Sequence, residues 1–129
     1  MSRSKLVVAI VDDEDTVRRA LERLFRSAGI ESEVFSGGAT FLDSLRSHQP
    51  DCVVLDLHMP GVTGFDVQAR LRELDFHIPV VVITGHDTPE SRGRVHDLGA
   101  AAYLRKPVAA KALLEAIQNA IEANQETTS

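Results

Sequence analysis

Five short runs of aliphatic and β-branched residues alternate with helix-like segments along this chain. The runs are Lys5–Val11, Ile30–Phe35, Cys52–Leu57, Val80–Ile83 and Ala101–Leu104. Such runs predict buried strands, whereas the apolar residues between them recur at three- and four-residue spacing and predict helices. Strands that alternate with helices through short loops predict a parallel sheet with helices on both faces.

The fold class that fits this alternation best is flavodoxin-like α/β, a (βα)5 chain whose parallel strands lie in the order 2-1-3-4-5. Right-handed crossovers leave few other topologies, and the second run is the least apolar, which suits an edge strand. The predicted helices begin near Asp15, Gly38, Gly64, Pro89 and Ala109. The 129 residues predict a single domain, with a core over about residues 5–123 and a polar, disordered tail over residues 124–129.

The composition excludes several classes of protein. A net charge of −5 argues against nonspecific binding of nucleic acid by this domain, because such binding needs a basic surface. No apolar stretch approaches the length of a membrane span. The basic segment Met1–Lys5 precedes an apolar run, but Asp12 and Asp13 end that run without a cleavage site, so no signal peptide is predicted. With the single cysteine, Cys52, this indicates a cytoplasmic protein without disulfides.

Four of the five predicted strands deliver a polar residue at their carboxyl ends. These residues are Asp12 and Asp13 after the first strand, Asp56 at the end of the third, Thr84 after the fourth and Lys106 after the fifth. In a parallel sheet these ends lie along one edge, which is where open α/β folds bind ligands. The five side chains are therefore predicted to converge, with Asp56 at their centre.

This set of side chains suits phosphoryl transfer. Clustered carboxylates repel one another unless a cation joins them, and hard oxygen ligands favour Mg²⁺ (or Mn²⁺). In this interpretation Asp56 is the nucleophile that takes the phosphoryl group, while Lys106 and Thr84 bind its oxygens. Each residue alone also has an ordinary structural explanation, as a cap or a loop residue, so the prediction depends on their combination.

Four motifs resemble the receiver domain of bacterial two-component response regulators. They are Val11–Glu14 (VDDE), Leu55–Gly61 (LDLHMPG), Val82–His86 (VITGH) and Tyr103–Pro107 (YLRKP). The resemblance covers about residues 5–123 and is closest to the FixJ-like group of these CheY-like domains. It implies that Asp56 is the phosphoacceptor for a sensor histidine kinase or phosphotransfer protein, and that the chain is a signalling domain rather than an enzyme.

The resemblance also implies a set of metal ligands. Asp13 would hold Mg²⁺ directly and Asp12 largely through water. Asp56 and the backbone carbonyl of His58 would complete the protein ligands.

Further roles follow from the same resemblance. Lys106 would contact the phosphoryl group, and the Lys106–Pro107 peptide bond would be cis.

Thr84 and Tyr103 would be the switch pair: a dianion on Asp56 attracts the Thr84 hydroxyl, and Tyr103 then swings inward. We expect Tyr103 to be outward or mixed before phosphorylation; its other interpretation is a surface aromatic on an edge strand. The face of the fourth helix and fifth strand would then change, and in this family it often forms a homodimer on phosphorylation.

Two histidines flank the predicted site. His58 lies two residues after Asp56, and His86 lies two residues after Thr84. Either they affect the water that attacks the phosphoaspartate, and therefore its lifetime, or they are exposed loop residues without a kinetic role. The sequence leaves both interpretations open.

Three functions compete for this chain. The first is a phosphorylation-dependent switch that controls a partner or an effector domain. A metal-dependent phosphatase with an aspartyl-phosphate intermediate is disfavoured, because such enzymes usually carry a second acid where this chain has His58. A receiver-like scaffold without phosphate chemistry is disfavoured by the complete set of acids, threonine and lysine. The chain is either a stand-alone receiver or the receiver of a FixJ-like DNA-binding regulator.

Overall fold

The computed structural model describes the backbone of residues 5–128 and the side chains of residues 5–126. The strands are β1 (Val7–Val11), β2 (Glu31–Phe35), β3 (Cys52–Asp56), β4 (Val80–Thr84) and β5 (Ala102–Arg105). They pair in parallel in the order β2-β1-β3-β4-β5. The flavodoxin-like fold class and strand order predicted from the sequence are confirmed. The segment Met1–Ser4, used in predicting that no signal peptide is present, lies outside the described residues.

Helices cover both faces of the sheet. They are α1 (Asp15–Ser27), α2 (Gly38–Ser44), α3 (Gly64–Glu73), α4 (Pro89–Asp97) and α5 (Ala110–Thr128). Side chains alternate along each strand, so Val53 and Leu55 join a core with α2, α3 and α4. Cys52 and Val54 point the other way and join a core with α1 and α5. The sheet is therefore held between two apolar layers, which explains why β3 and β4 read as continuous apolar runs.

The strand β2 is the weak edge that its sequence indicates. Its residues are half-buried or exposed, and Val34 is 40 % exposed. Cys52, by contrast, is fully buried in β3, and burial raises the pKa of its thiol to about 12. The cysteine is thus a core residue, as predicted. Among the described residues, no helix has the length and apolar content that a membrane span requires.

The expected disorder of the C-terminal tail is wrong for residues 124–128. The pattern of apolar residues ended the last helix at Ala123, but α5 continues to Thr128. The polar composition was misleading, because Gln and Glu are good helix formers and no Gly or Pro follows Pro107. A hydrogen bond from Gln118 Nε2 to Glu122 Oε2, 2.7 Å long, supports the turn of α5 that precedes this segment. Ser129 lies outside the described residues.

Helix α4 has few apolar contacts, as its sequence predicts. Val95 is the one buried residue that the described structure shows within it. The Thr88 side chain caps the helix by accepting a hydrogen bond from Ser91 N at 3.0 Å. Gln68 of α3 donates to the Val95 carbonyl at 3.2 Å. A helix attached mainly by polar contacts opens or shifts at lower cost than one attached by a large apolar face.

Candidate functional site

The end of β3 holds Asp56 at the edge of the sheet, between β1 and β4. Asp56 is only 4 % exposed. Its position is fixed by α3, because Gly64 N donates to the Leu57 carbonyl at 2.9 Å. A capping box between Thr63 and Asp66 sets the first turn of this helix: Asp66 N donates to Thr63 Oγ1 at 3.2 Å, and Thr63 N donates to Asp66 Oδ2 at 2.9 Å.

Three carboxylates converge at this edge. One oxygen from each of Asp12, Asp13 and Asp56 lies within 4.8 Å of the others. Asp12 is fully buried and Asp13 is exposed. Burial, together with the negative charge of Asp12, raises the pKa of Asp56 to about 6. The cluster is therefore electrostatically unfavourable without a cation.

Lys106 is the cation that the protein itself supplies. Its Nζ lies 2.8 Å from Asp12 Oδ2 and 3.5 Å from Asp56 Oδ1. It also donates to Glu14 Oε1 at 2.8 Å. Burial opposes the ammonium form, but the bonds to Asp12 and Glu14 outweigh it and raise the pKa of Lys106. Sequence reasoning missed Glu14 as a partner, although it follows the two acids directly.

The donor set fits a hard divalent cation. Each of the three carboxylates offers an oxygen to a common point, and Asp13 faces solvent, where a partly hydrated ion enters easily. The single positive charge of Lys106 does not balance the negative charges of Asp12, Asp13 and Asp56, so Mg²⁺ would relieve the remaining repulsion. The Lys106–Pro107 peptide bond is cis, the isomer that the resemblance implies.

Thr84 ends β4 beside this cluster and is fully buried. Its hydroxyl is bonded to the following loop: it accepts from His86 N at 3.1 Å and donates to the His86 carbonyl at 3.3 Å. The Lys106 backbone N donates to the Thr84 carbonyl at 2.8 Å. The ends of β4 and β5 are thus joined next to Asp56.

Tyr103 occupies an intermediate position, half-buried against the core of α2, α3 and α4. Its hydroxyl donates to Asp87 Oδ1 at 2.9 Å. Burial and this hydrogen bond raise the pKa of the Tyr103 phenol. Asp87 also accepts from Arg92 Nε at 3.0 Å. Sequence reasoning missed Asp87, and its place just before the cap Thr88 was the one signal available.

The two flanking histidines, His58 and His86, contact each other. The ring centroids of His58 and His86 are 5.5 Å apart, with the rings nearly perpendicular. His58 also contacts Phe65 of α3 edge to face at 6.3 Å. Arg94 of α4 lies over the same phenyl ring, 4.1 Å from its centroid. His58, His86 and Phe65 thus form a cluster of rings just beyond the ends of β3 and β4, the strands that carry Asp56 and Thr84.

Comparison with known proteins agrees with this geometry. Residues 8–118 match the family model described as the response regulator receiver domain. The chain is 38 % identical over 119 residues to nodulation protein W of Bradyrhizobium diazoefficiens. The aligned region covers 92 % of this chain and 52 % of that protein. The solved structure of response regulator StyR has a TM-score of 0.88 and 40 % identity, covering 97 % of this chain and 63 % of the other. The solved structure of FixJ-N has a TM-score of 0.85 and 30 % identity, covering 93 % of this chain and 96 % of the other.

The chain spans about half the length of the curated relatives that it matches first. One of these is response regulator protein TodT of Pseudomonas putida, 36 % identical over 122 residues that make up 54 % of its length.

Proposed function

This chain belongs to the receiver-domain family of two-component response regulators, and we propose that Asp56 is its phosphoacceptor. The observation that carries the proposal is the nearly buried carboxylate of Asp56 between an acidic pair and Lys106, which lies 3.5 Å away. Receiver domains interact with histidine kinases or phosphotransfer proteins. A phosphohistidine on such a partner would be the donor for this chain.

Each side chain around Asp56 has a task in this proposal. The Asp56 carboxylate attacks phosphorus and forms an acyl phosphate, while the bond from phosphorus to the donor's leaving group breaks. Asp12, Asp13, Asp56 and the His58 carbonyl would hold Mg²⁺, which supplies positive charge for the phosphoryl oxygens. Lys106 turns from Glu14 and Asp12 toward the new phosphoryl group.

The output would pass through Thr84 and Tyr103. The Thr84 hydroxyl leaves the His86 backbone to bond a phosphoryl oxygen, and Tyr103 then moves inward. Because α4 has few apolar contacts, the face that it forms with β5 is suited to change. By resemblance to the family, this face would pair with a second copy on phosphorylation. We propose this for a cytoplasmic chain that is the receiver of a larger regulator, in agreement with the length of its relatives.

Incubation with acetyl phosphate and Mg²⁺ tests the function itself. We expect one phosphoryl group per chain, bound as an acyl phosphate that hydroxylamine releases, and no incorporation when Mg²⁺ is chelated. Intact-mass spectrometry and phosphate release measure both quantities. Continuous hydrolysis of acetyl phosphate at a rate typical of an enzyme would instead indicate a phosphatase, and absence of both incorporation and turnover would indicate a scaffold.

The pair of histidine rings is expected to protect the phosphoaspartate from water. We propose that His58→Ala and His86→Ala each shorten the lifetime of phospho-Asp56 severalfold, because the two rings contact each other beyond the ends of β3 and β4 and either change leaves a gap there for water. Decay of the phosphorylated species after removal of acetyl phosphate measures this. The control is His48→Ala, an exposed histidine that bonds Glu33 of β2. Unchanged lifetimes in both variants would show that these are loop histidines without a kinetic role.

A further inference from the structure

Asp87 collects three partners that the phosphoryl chemistry does not explain. Its carboxylate accepts from the Tyr103 hydroxyl at 2.9 Å and from Arg92 Nε at 3.0 Å, and Arg105 Nη1 approaches to 4.0 Å. The Asp87 side chain is only 18 % exposed, whereas those of Arg92 and Arg105 are largely exposed. The residue therefore sits beneath two arginines and beside the tyrosine.

The hydrogen bond from Tyr103 joins two elements that otherwise share few contacts. Asp87 belongs to the start of α4, because it precedes the cap Thr88 and bonds Arg92 within the helix. Tyr103 belongs to β5, where it pairs with Val82 of β4. Since Val95 near the end of α4 is its buried residue, the bond from Tyr103 to Asp87 helps to hold the start of the helix to the sheet.

Asp87 is also one residue from the groups that Thr84 bonds. The Thr84 hydroxyl has one hydrogen, and that hydrogen is directed at the His86 carbonyl. If the hydroxyl donates to a phosphoryl oxygen on Asp56, it must release His86. The segment that carries Asp87 then loses an anchor, and a Cβ at Gly85 within it would meet only Lys106 Cδ, at 3.9 Å.

We propose that the hydrogen bond between Tyr103 and Asp87 is a latch for the unphosphorylated conformation, and that Asp87 is the positioning residue that sets how readily Asp56 is modified. The inference rests on the proposed function of Asp56. Coupling between two sites is reciprocal, so if phosphorylation opens the latch, an open latch favours phosphorylation by the same factor.

The test uses beryllofluoride with Mg²⁺, a mimic of the phosphoryl group, on the full chain. We expect Asp87→Ala and Tyr103→Phe each to lower its dissociation constant on the order of tenfold. The double variant is expected to match Asp87→Ala, because Tyr103→Phe has no bond to Asp87 left to break in that background. Tyr103→Phe removes only the hydroxyl, so this variant is expected to fold normally even if Asp87→Ala disturbs the loop. Asp43→Ala, which alters an exposed acid on α2, is the control.

A second readout reports on the bond directly. Tyr103 is the single tyrosine of a chain without tryptophan, so the ultraviolet titration of phenol observes this residue alone. Removing the Asp87 carboxylate is expected to lower the pKa of Tyr103, since burial and that carboxylate raise this pKa while Arg92 lowers it.

The outcomes separate the latch from the function. If the wild-type chain binds beryllofluoride and Tyr103→Phe and Asp87→Ala leave its affinity unchanged, or if their effects add, the latch is wrong. An unchanged Tyr103 titration in Asp87→Ala also overturns it. If the wild-type chain binds no beryllofluoride at all, the proposed function fails and the inference fails with it.

Discussion

Asp56→Asn is expected to remove phosphorylation by acetyl phosphate or a histidine kinase down to the background of a chain without an acceptor. An amide oxygen is a far weaker nucleophile than a carboxylate, while the shape of the side chain is kept. Asp12 is not a substitute, because it is fully buried and engages Lys106 and Glu14 N. Intact-mass spectrometry measures the incorporation, and Asp43→Asn is the exposed control.

The same variant is expected to remain folded, which makes its loss of phosphorylation interpretable. The pKa of Asp56 is raised to about 6 from an ordinary 3.8, so the folded state binds its proton more tightly than the unfolded chain does. The stability that the protonated Asp56 contributes is fully present below the unfolded pKa and is lost as the pH rises through about 6. At pH 7 the charged carboxylate therefore destabilises the folded state. Without Mg²⁺, Asp56→Asn should therefore raise the free energy of unfolding by about 1–3 kcal/mol. Incorporation equal to wild type would place the acceptor elsewhere.

Gly64→Ala is expected to destabilise the domain by about 3 kcal/mol. A Cβ at this position would lie 2.4 Å from the Asp56 carbonyl oxygen and 2.7 Å from Leu57 Cα. Both are backbone atoms, so the overlap is relieved only by moving α3 away from the end of β3. The end of β3 carries Asp56, the proposed phosphoacceptor, so phosphorylation should slow as well.

A second glycine provides the matched control. Gly93 lies exposed within α4, where an added Cβ meets nothing within 4 Å. Gly93→Ala should therefore stabilise the domain by roughly 0.5–1 kcal/mol, the usual gain in a helix. Urea unfolding of both variants measures the difference. A Gly64→Ala protein with wild-type stability would show that α3 does not pack this closely against Asp56.

The fold was predictable from the sequence because its signals are local. The β-branched runs ending at Val11 and Asp56 are each apolar enough to identify a buried strand alone. A parallel sheet then brings strand ends together whatever the details of packing, so the meeting of Asp12, Asp56 and Lys106 also followed from topology. The end of α5 could not be predicted, because a polar composition is equally compatible with an exposed helix end and with a disordered tail.

The remaining features depend on contacts between distant residues. The bond of Lys106 to Glu14 joins residues 92 positions apart, and it depends on how long side chains lie in the folded site. The bond of Tyr103 to Asp87 depends on the register of β5 against β4 and on the path of the loop before α4. The pattern of apolar residues restricts which face of β5 is buried, but it does not specify the path of the loop that places Asp87 beside Tyr103.

The site of modification is the most direct test of the central claim. The chain is phosphorylated with acetyl phosphate and Mg²⁺, the acyl phosphate is reduced with borohydride to an alcohol, and the modified residue is located by tandem mass spectrometry. A single reduced side chain at Asp56 is predicted. Reduction at Asp12, Asp13 or Glu14 with Asp56 intact would contradict the account, as would a fully phosphorylated chain modified at no carboxylate.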